Sequence, residues 1–135
     1  MLPAGGSRCY GSQPDVPQRD YYFKMRGRHL VSLTFDRMSA FQERLAERTG
    51  VDFGAYDHYI IHQASKVGLS MLLRQYGISP DKSHESLSRY GNCMSVSLAI
   101  GLEELINARG VHPGERVLLL GTAAGLSIGA MALQF

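Results

Sequence analysis

Residues 56–77 read YDHYIIHQASKVGLSMLLRQYG, and the change of pattern within them decides the fold class. Tyr56 to Ile61 is a short run of aromatic and β-branched residues, the composition of an extended strand. From about residue 64 to 76 the stretch is helical in character and apolar nearly all round, with Lys66, Ser70 and Arg74 forming one polar stripe at a spacing of four. That pattern predicts a mostly buried helix showing one edge to water, closed by Gly77. A strand that runs directly into a helix is the repeating unit of an α/β sheet.

The flanks repeat the unit. Upstream, residues 29–48 place Val31, Phe35, Met38, Phe41 and Leu45 on one helical face and gather the charges on the other, with Gly50 closing the helix. Tyr21 to Met25 is a further strand candidate. Downstream, Ser79-Pro80-Asp81 is turn chemistry, and a weak strand is expected near 84–88 before Arg89-Tyr90-Gly91-Asn92. A third helix over about 94–109 is expected to bury Val96, Ala99, Ile100, Leu102, Leu105 and Ile106, to turn Glu103, Glu104 and Asn107 outward, and to end at Gly110. Arg116 to Leu120 is the strongest strand, followed by a glycine-bearing turn at 121–125 and a last strand from Leu126 to Phe135. These elements predict a largely parallel sheet with helices, ending in a hairpin. Residues 1–19, rich in Gly, Ser and Pro, form a flexible leader or loop on this reading, and 20–135 form one domain.

Composition excludes several classes. The 135 residues carry 14 Lys and Arg against 12 Asp and Glu, a net charge of +2, too small to argue for nucleic acid or a membrane surface. No apolar run approaches the roughly 18 residues of a membrane span. The two cysteines, Cys9 and Cys93, have no metal-site or framework spacing, which points to a reducing, cytoplasmic setting without metal.

In open α/β sheets, sites form where strands end and helices begin. His62-Gln63 and Gly91-Asn92 both occupy such ends, and a helix with a return strand between them brings both to the same sheet edge. On spacing alone, His62 is most simply a structural residue, Asn92 an N-cap, and Gly91 a permit for unusual backbone.

Three motifs in order change that balance. His62-Gln63-Ala64-Ser65 resembles the H-Q-A-N segment of the β-ketoacyl-ACP synthase III family of the thiolase superfamily. Leu87 to Asn92 resembles its strand into a Gly-Asn motif, and Leu120 to Ala130 resembles its C-terminal glycine turn. The resemblance runs from about Tyr22 to Phe135 and covers the C-terminal half of the family only. It implies half of a thiolase-like fold, with a mixed, mostly parallel, five-stranded type of sheet. It also implies the family's decarboxylative condensation of an acyl thioester with a malonyl thioester, in fatty acid or polyketide biosynthesis. His62 and Asn92 would be the catalytic oxyanion donors, and Ser65 and Gly125 would contribute to substrate binding. The acyl-accepting cysteine of the family has no matching residue here, so the chain alone is expected to be catalytically incomplete.

The resemblance implies no cofactor. It implies acyl-CoA and malonyl-CoA or malonyl-ACP as substrates, an acyl carrier protein and the N-terminal half as partners, and a homo-oligomer. Thiolases carry a second cysteine near the C-terminus, elongating synthases pair two histidines, and chalcone-synthase-like enzymes carry H-P-G-G where His62 to Ser65 stand; the synthase III branch fits best. The chain departs from it at Ser65, where the family has Asn, at Ala123-Ala124 in place of two glycines, and at Lys66, one position from the usual carrier-docking basic residue. Two other readings compete: a non-catalytic half that completes a partner chain, and a small thioester hydrolase built on Cys93 and His62.

Overall fold

The computed structural model describes residues 15–22, 26–123 and 126–135. The leader expected over 1–19 lies mostly outside the described residues. Of the strand expected at 21–25, Tyr21 instead ends a 3-10 turn, Gln18–Tyr21, and 23–25 lie outside the described residues. Contacts divide the chain into two units, Met1–Ser32 and Leu33–Phe135. In the first, the 3-10 turn is closed by the Asp20 amide donating to the Pro17 carbonyl (2.8 Å).

Helix α1 spans Gly27–Thr49. The second unit continues with β1 (His58–Ile61), α2 (Lys66–Gln75), β2 (Ser83–His84), a single turn α3 (Leu87–Tyr90), α4 (Val96–Glu104) and a π-helical turn (Leu105–Arg109). It ends with β3 (Arg116–Ala123) and β4 (Ser127–Gln134). The described strands form one four-stranded sheet in the order β2-β1-β3-β4. Strands β2, β1 and β3 are parallel, and β3 and β4 form the antiparallel hairpin expected from sequence.

Strand alternation divides the core between the two sheet faces. Tyr59, Ile61, Leu118 and Leu120 join Met38 of α1, Leu72 and Leu73 of α2, and Phe53, Tyr56 and Ile78 in one cluster. Ile60 and Val117 point the other way and meet Leu105, with Leu98 and Leu102 of α4 packed around them. Helices therefore cover both faces, as the strand–helix alternation requires.

Four expectations need correction. Helix α2 is half-buried rather than mostly buried: Val67 and Met71 are exposed beside the polar stripe, because only Leu69, Leu72 and Leu73 reach the sheet. The weak strand at 84–88 shrinks to Ser83–His84, and residues 87–90 are helical. The Glu85 carboxylate accepts from the Ser88 amide (2.7 Å) and hydroxyl (2.9 Å), and so caps a helical turn where a strand was expected.

The third correction is the buried face of α4. Ser97, Gly101 and Leu105 face the sheet, whereas Val96, Ala99 and Ile106 are exposed. Small residues make that contact because the helix lies very close to β1: a Cβ on Gly101 would stand 2.7 Å from Ile60 Cγ2. The fourth is Glu104, which was expected to face out. Its side chain is only 12% exposed, because residues of β2 and α3 close over it.

Candidate active site

Strands β1 and β2 run parallel in the register Tyr59↔Ser83 and Ile60↔His84, so both present their carboxyl ends at one sheet edge. β3 is parallel to β1, with Ile61 opposite Leu120, and runs on to Ala123 at that same edge. His62 and Ser65 follow the end of β1, whereas α3 lies between the end of β2 and Asn92.

His62 is the first residue beyond β1. Its amide donates to the Leu120 carbonyl (2.8 Å), and its carbonyl accepts from the Ala64 amide (3.1 Å). Backbone bonding thus fixes it on both sides. Its imidazole is half-buried and makes no hydrogen bond with the described residues, so both ring nitrogens are available to a ligand.

Gln63 points the other way and is buried (2% exposed). Its Nε2 donates to the Ile61 carbonyl (2.7 Å) and to the His84 carbonyl (3.3 Å), lacing the ends of β1 and β2 together. Its Oε1 is buried without a partner among the described residues. Sequence reasoning assigned Gln63 no role; the available signal was an amide placed between a buried strand and a helix start.

The Ser65 hydroxyl accepts from the Gly68 amide (3.3 Å) and is the N-cap of α2. Its serine-before-a-helix position carried that signal in the sequence. Gly125, the other substrate-binding expectation, lies outside the described residues.

Asn92 follows α3 and is exposed. Gly91 before it has φ 69° and ψ −160°, a region open essentially to glycine alone, and this bend carries the chain out of α3. Asn92 is not the N-cap of α4, which starts four residues later at Val96. Its side-chain Oδ1 instead accepts from the Met94 amide (2.9 Å), closing a local turn, and Met94 itself has φ 53°. Because a backbone N–H can only donate, this bond orients the side-chain amide: the oxygen is engaged and the NH₂ is left as a free donor. No hydrogen bond joins Asn92 to His62 among the described residues.

Cys93 is partly buried, with its thiol donating to the Tyr90 carbonyl (3.4 Å). It makes no bond to His62, so the arrangement of a base-activated thiol is not formed. Among the described residues no cluster of three His, Cys, Asp or Glu side chains could hold a metal ion, and no helix is long and apolar enough to cross a membrane.

Below Asn92, Glu104 of α4 collects three donors: His84 Nε2 (2.6 Å) and Arg89 Nη2 (2.8 Å) on one oxygen, and the Tyr90 hydroxyl (3.0 Å) on the other. The hydrogen bond from His84 is the main cause that holds the Glu104 carboxyl below its ordinary range, supported by Tyr90 and Arg89 and opposed by desolvation.

This strand-end geometry has a family. Residues 46–135 match the family described as 3-oxoacyl-(acyl-carrier-protein) synthase III C terminal, two thirds of the chain. The chain belongs to that family. Within it, the chain is 31% identical to the β-ketoacyl-(acyl-carrier-protein) synthase III of Chlamydia trachomatis over 133 residues, covering 98% of this chain and 41% of that protein. It is 32% identical to the synthase III of Symbiobacterium thermophilum, covering 98% of this chain and 40% of that protein. The chain thus spans about two fifths of the length of the curated relatives it matches.

Among solved structures, the 3-oxoacyl-(acyl-carrier-protein) synthase III of Aquifex aeolicus superposes with a TM-score of 0.77 at 27% identity, covering 87% of this chain and 38% of that one. The enzyme of Pseudomonas aeruginosa superposes with 0.76 at 24%, covering 92% and 39%. The fold of this chain is therefore the C-terminal, thiolase-like part of synthase III proteins, as the motifs implied.

Proposed function

We propose that this chain supplies the enolate-stabilising part of a synthase III active site, which condenses an acyl thioester with a malonyl thioester. The observation that carries this reading is the orientation of Asn92. Its oxygen is held by the Met94 amide and its NH₂ is left as a donor, while the His62 imidazole beyond β1 makes no hydrogen bond with the described residues.

The chemistry asks for two such donors. When a malonyl thioester loses carbon dioxide, the C–C bond breaks and its electron pair passes to the thioester carbonyl, leaving negative charge on that oxygen. His62 Nε2–H and Asn92 Nδ2–H would hold this oxyanion, and fixed donors of this kind are each worth about 10²–10³ in rate. The enolate then attacks the carbonyl of an acyl group carried as a thioester on a cysteine. The cysteine leaves as thiolate, and a β-ketoacyl thioester is formed.

That cysteine would belong to the part of the fold that this chain does not span. The second apolar side of α4 supports this division of labour: Val96 and Ala99, like Met94 in the turn before the helix, are exposed although the opposite side of the helix already packs on the sheet. Such a surface fits the remaining part of a thiolase-like fold. In this reading Ser65 and Gly125 flank the substrate, the donors of the thioesters are CoA or an acyl carrier protein, and the assembled protein is a homo-oligomer in the cytoplasm.

The test is a fusion of this chain to the N-terminal portion of the Chlamydia trachomatis synthase III. The fusion is expected to condense an acyl-CoA with a malonyl thioester, and His62→Ala is expected to lower the rate about 100-fold. A fusion that folds but behaves identically with and without the His62 side chain would overturn the assignment.

A further inference from the structure

The segments that carry the candidate donors are linked by a chain of hydrogen bonds. The Gln63 amide, adjoining His62, donates to the His84 carbonyl, and the His84 ring donates to Glu104. Glu104 in turn holds Arg89 and Tyr90, the two residues that lead into Gly91-Asn92. The Arg89 guanidinium lies 5.4 Å from the centre of the Tyr90 ring, so the two side chains engage Glu104 as a stacked pair. His84 and Glu104 are both 12% exposed.

α3 needs this support. A four-residue helical turn does not sustain itself in water, because nucleation is unfavourable and the few backbone bonds that close it do not repay the ordering of the chain. Glu85 caps its start. Among the described residues, Glu104 is the side chain of another element that hydrogen-bonds Arg89 and Tyr90 at the end of α3, and Asn92 follows two residues after Tyr90. We propose that Glu104 is a positioning residue for Asn92: by clamping α3 onto β2 and α4 it keeps the Asn92 amide aimed at the oxyanion. This rests on the reading of Asn92 as an oxyanion donor.

The test uses the same fusion and four variants: Glu104→Gln, Glu104→Asp, Tyr90→Phe and Asn92→Ala, with Glu104→Gln also made in the Asn92→Ala background. Glu104→Gln is expected to lower kcat for malonyl decarboxylation about ten-fold with little change in KM, as expected when a transition-state donor is misplaced and not removed. Glu104→Asp restores part of the loss. In the Asn92→Ala background Glu104→Gln is expected to cost nothing more, because no amide remains to be positioned.

Equal losses in both backgrounds would make Glu104 a stability residue and overturn the proposal. If Asn92→Ala itself leaves the rate unchanged, the reading of the site fails instead, and the two failures are distinct. Should Glu104→Gln not fold, Tyr90→Phe decides. It removes one hydroxyl from a half-exposed ring, and amide exchange at Met94 is expected to speed up several-fold, while unchanged exchange and unchanged kcat would overturn the clamp.

Discussion

Asn92 and Glu104 show opposite limits of what a residue's neighbours in sequence reveal. Motif order and separation single out His62 and Asn92 in the sequence, while their local chemistry suggests only a strand end and a cap. Glu104 was expected to face water because it sits between Glu103 and Leu105 on a helix, and nothing local announces its partners. Those partners, His84, Arg89 and Tyr90, arrive from β2 and α3, and only the packing of these elements on α4 converts a surface carboxylate into a hub. Its carboxyl is held below the ordinary value of 4.5, first by His84. A lowered folded-state value means that this contribution to stability is complete above the ordinary value and is lost as pH falls through the folded one. Urea unfolding from about pH 5 downward should therefore show wild type losing stability more steeply than Glu104→Gln. Glu85 and Glu115 are also lowered, by bonds from the Ser88 and His112 amides, so the variant should keep a reduced slope. An unchanged slope would mean that Glu104 is not paired in solution.

At the scale of elements, strand–helix alternation and the closing glycines were readable, and Gly50, Gly77 and Gly110 all have positive φ. The faces of α2 and α4 were not, because both helices carry apolar residues on more than one side. Periodicity identifies an apolar side but cannot say which of two apolar sides meets the sheet. For α4 the choice turns on Gly101, since the close approach to Ile60 leaves no room for a side chain there. Gly101→Val should therefore lower stability by about 1–3 kcal/mol in urea unfolding, since Ile60 is buried and β-branched and has little room to turn. A neutral result would show that α4 stands further from β1. Gly91→Ala tests the turn into Asn92. With φ near +69° and ψ near −160° the substitution should cost about 1–3 kcal/mol and loosen the Met94 amide, which hydrogen exchange reads directly.

For the molecule as a whole, the parallel pairing of β1, β2 and β3 and the closing hairpin follow from the alternation of strands and helices along the chain. The distribution of chemistry between this chain and the rest of the fold is the central claim. Its negative side is read by intact mass: incubated alone with an acyl-CoA, the chain should remain unmodified, because the Cys93 thiol donates to the Tyr90 carbonyl and has no base beside it. A stable adduct on Cys93 would favour the hydrolase reading. Its positive side is read by separating the two half-reactions in the fusion with the Chlamydia trachomatis N-terminal portion. His62→Ala and Asn92→Ala should each take up the acyl group at the wild-type rate yet lose malonyl decarboxylation about 100-fold, whereas decarboxylation at the wild-type rate, or equal loss of both steps, would contradict an oxyanion site on this chain.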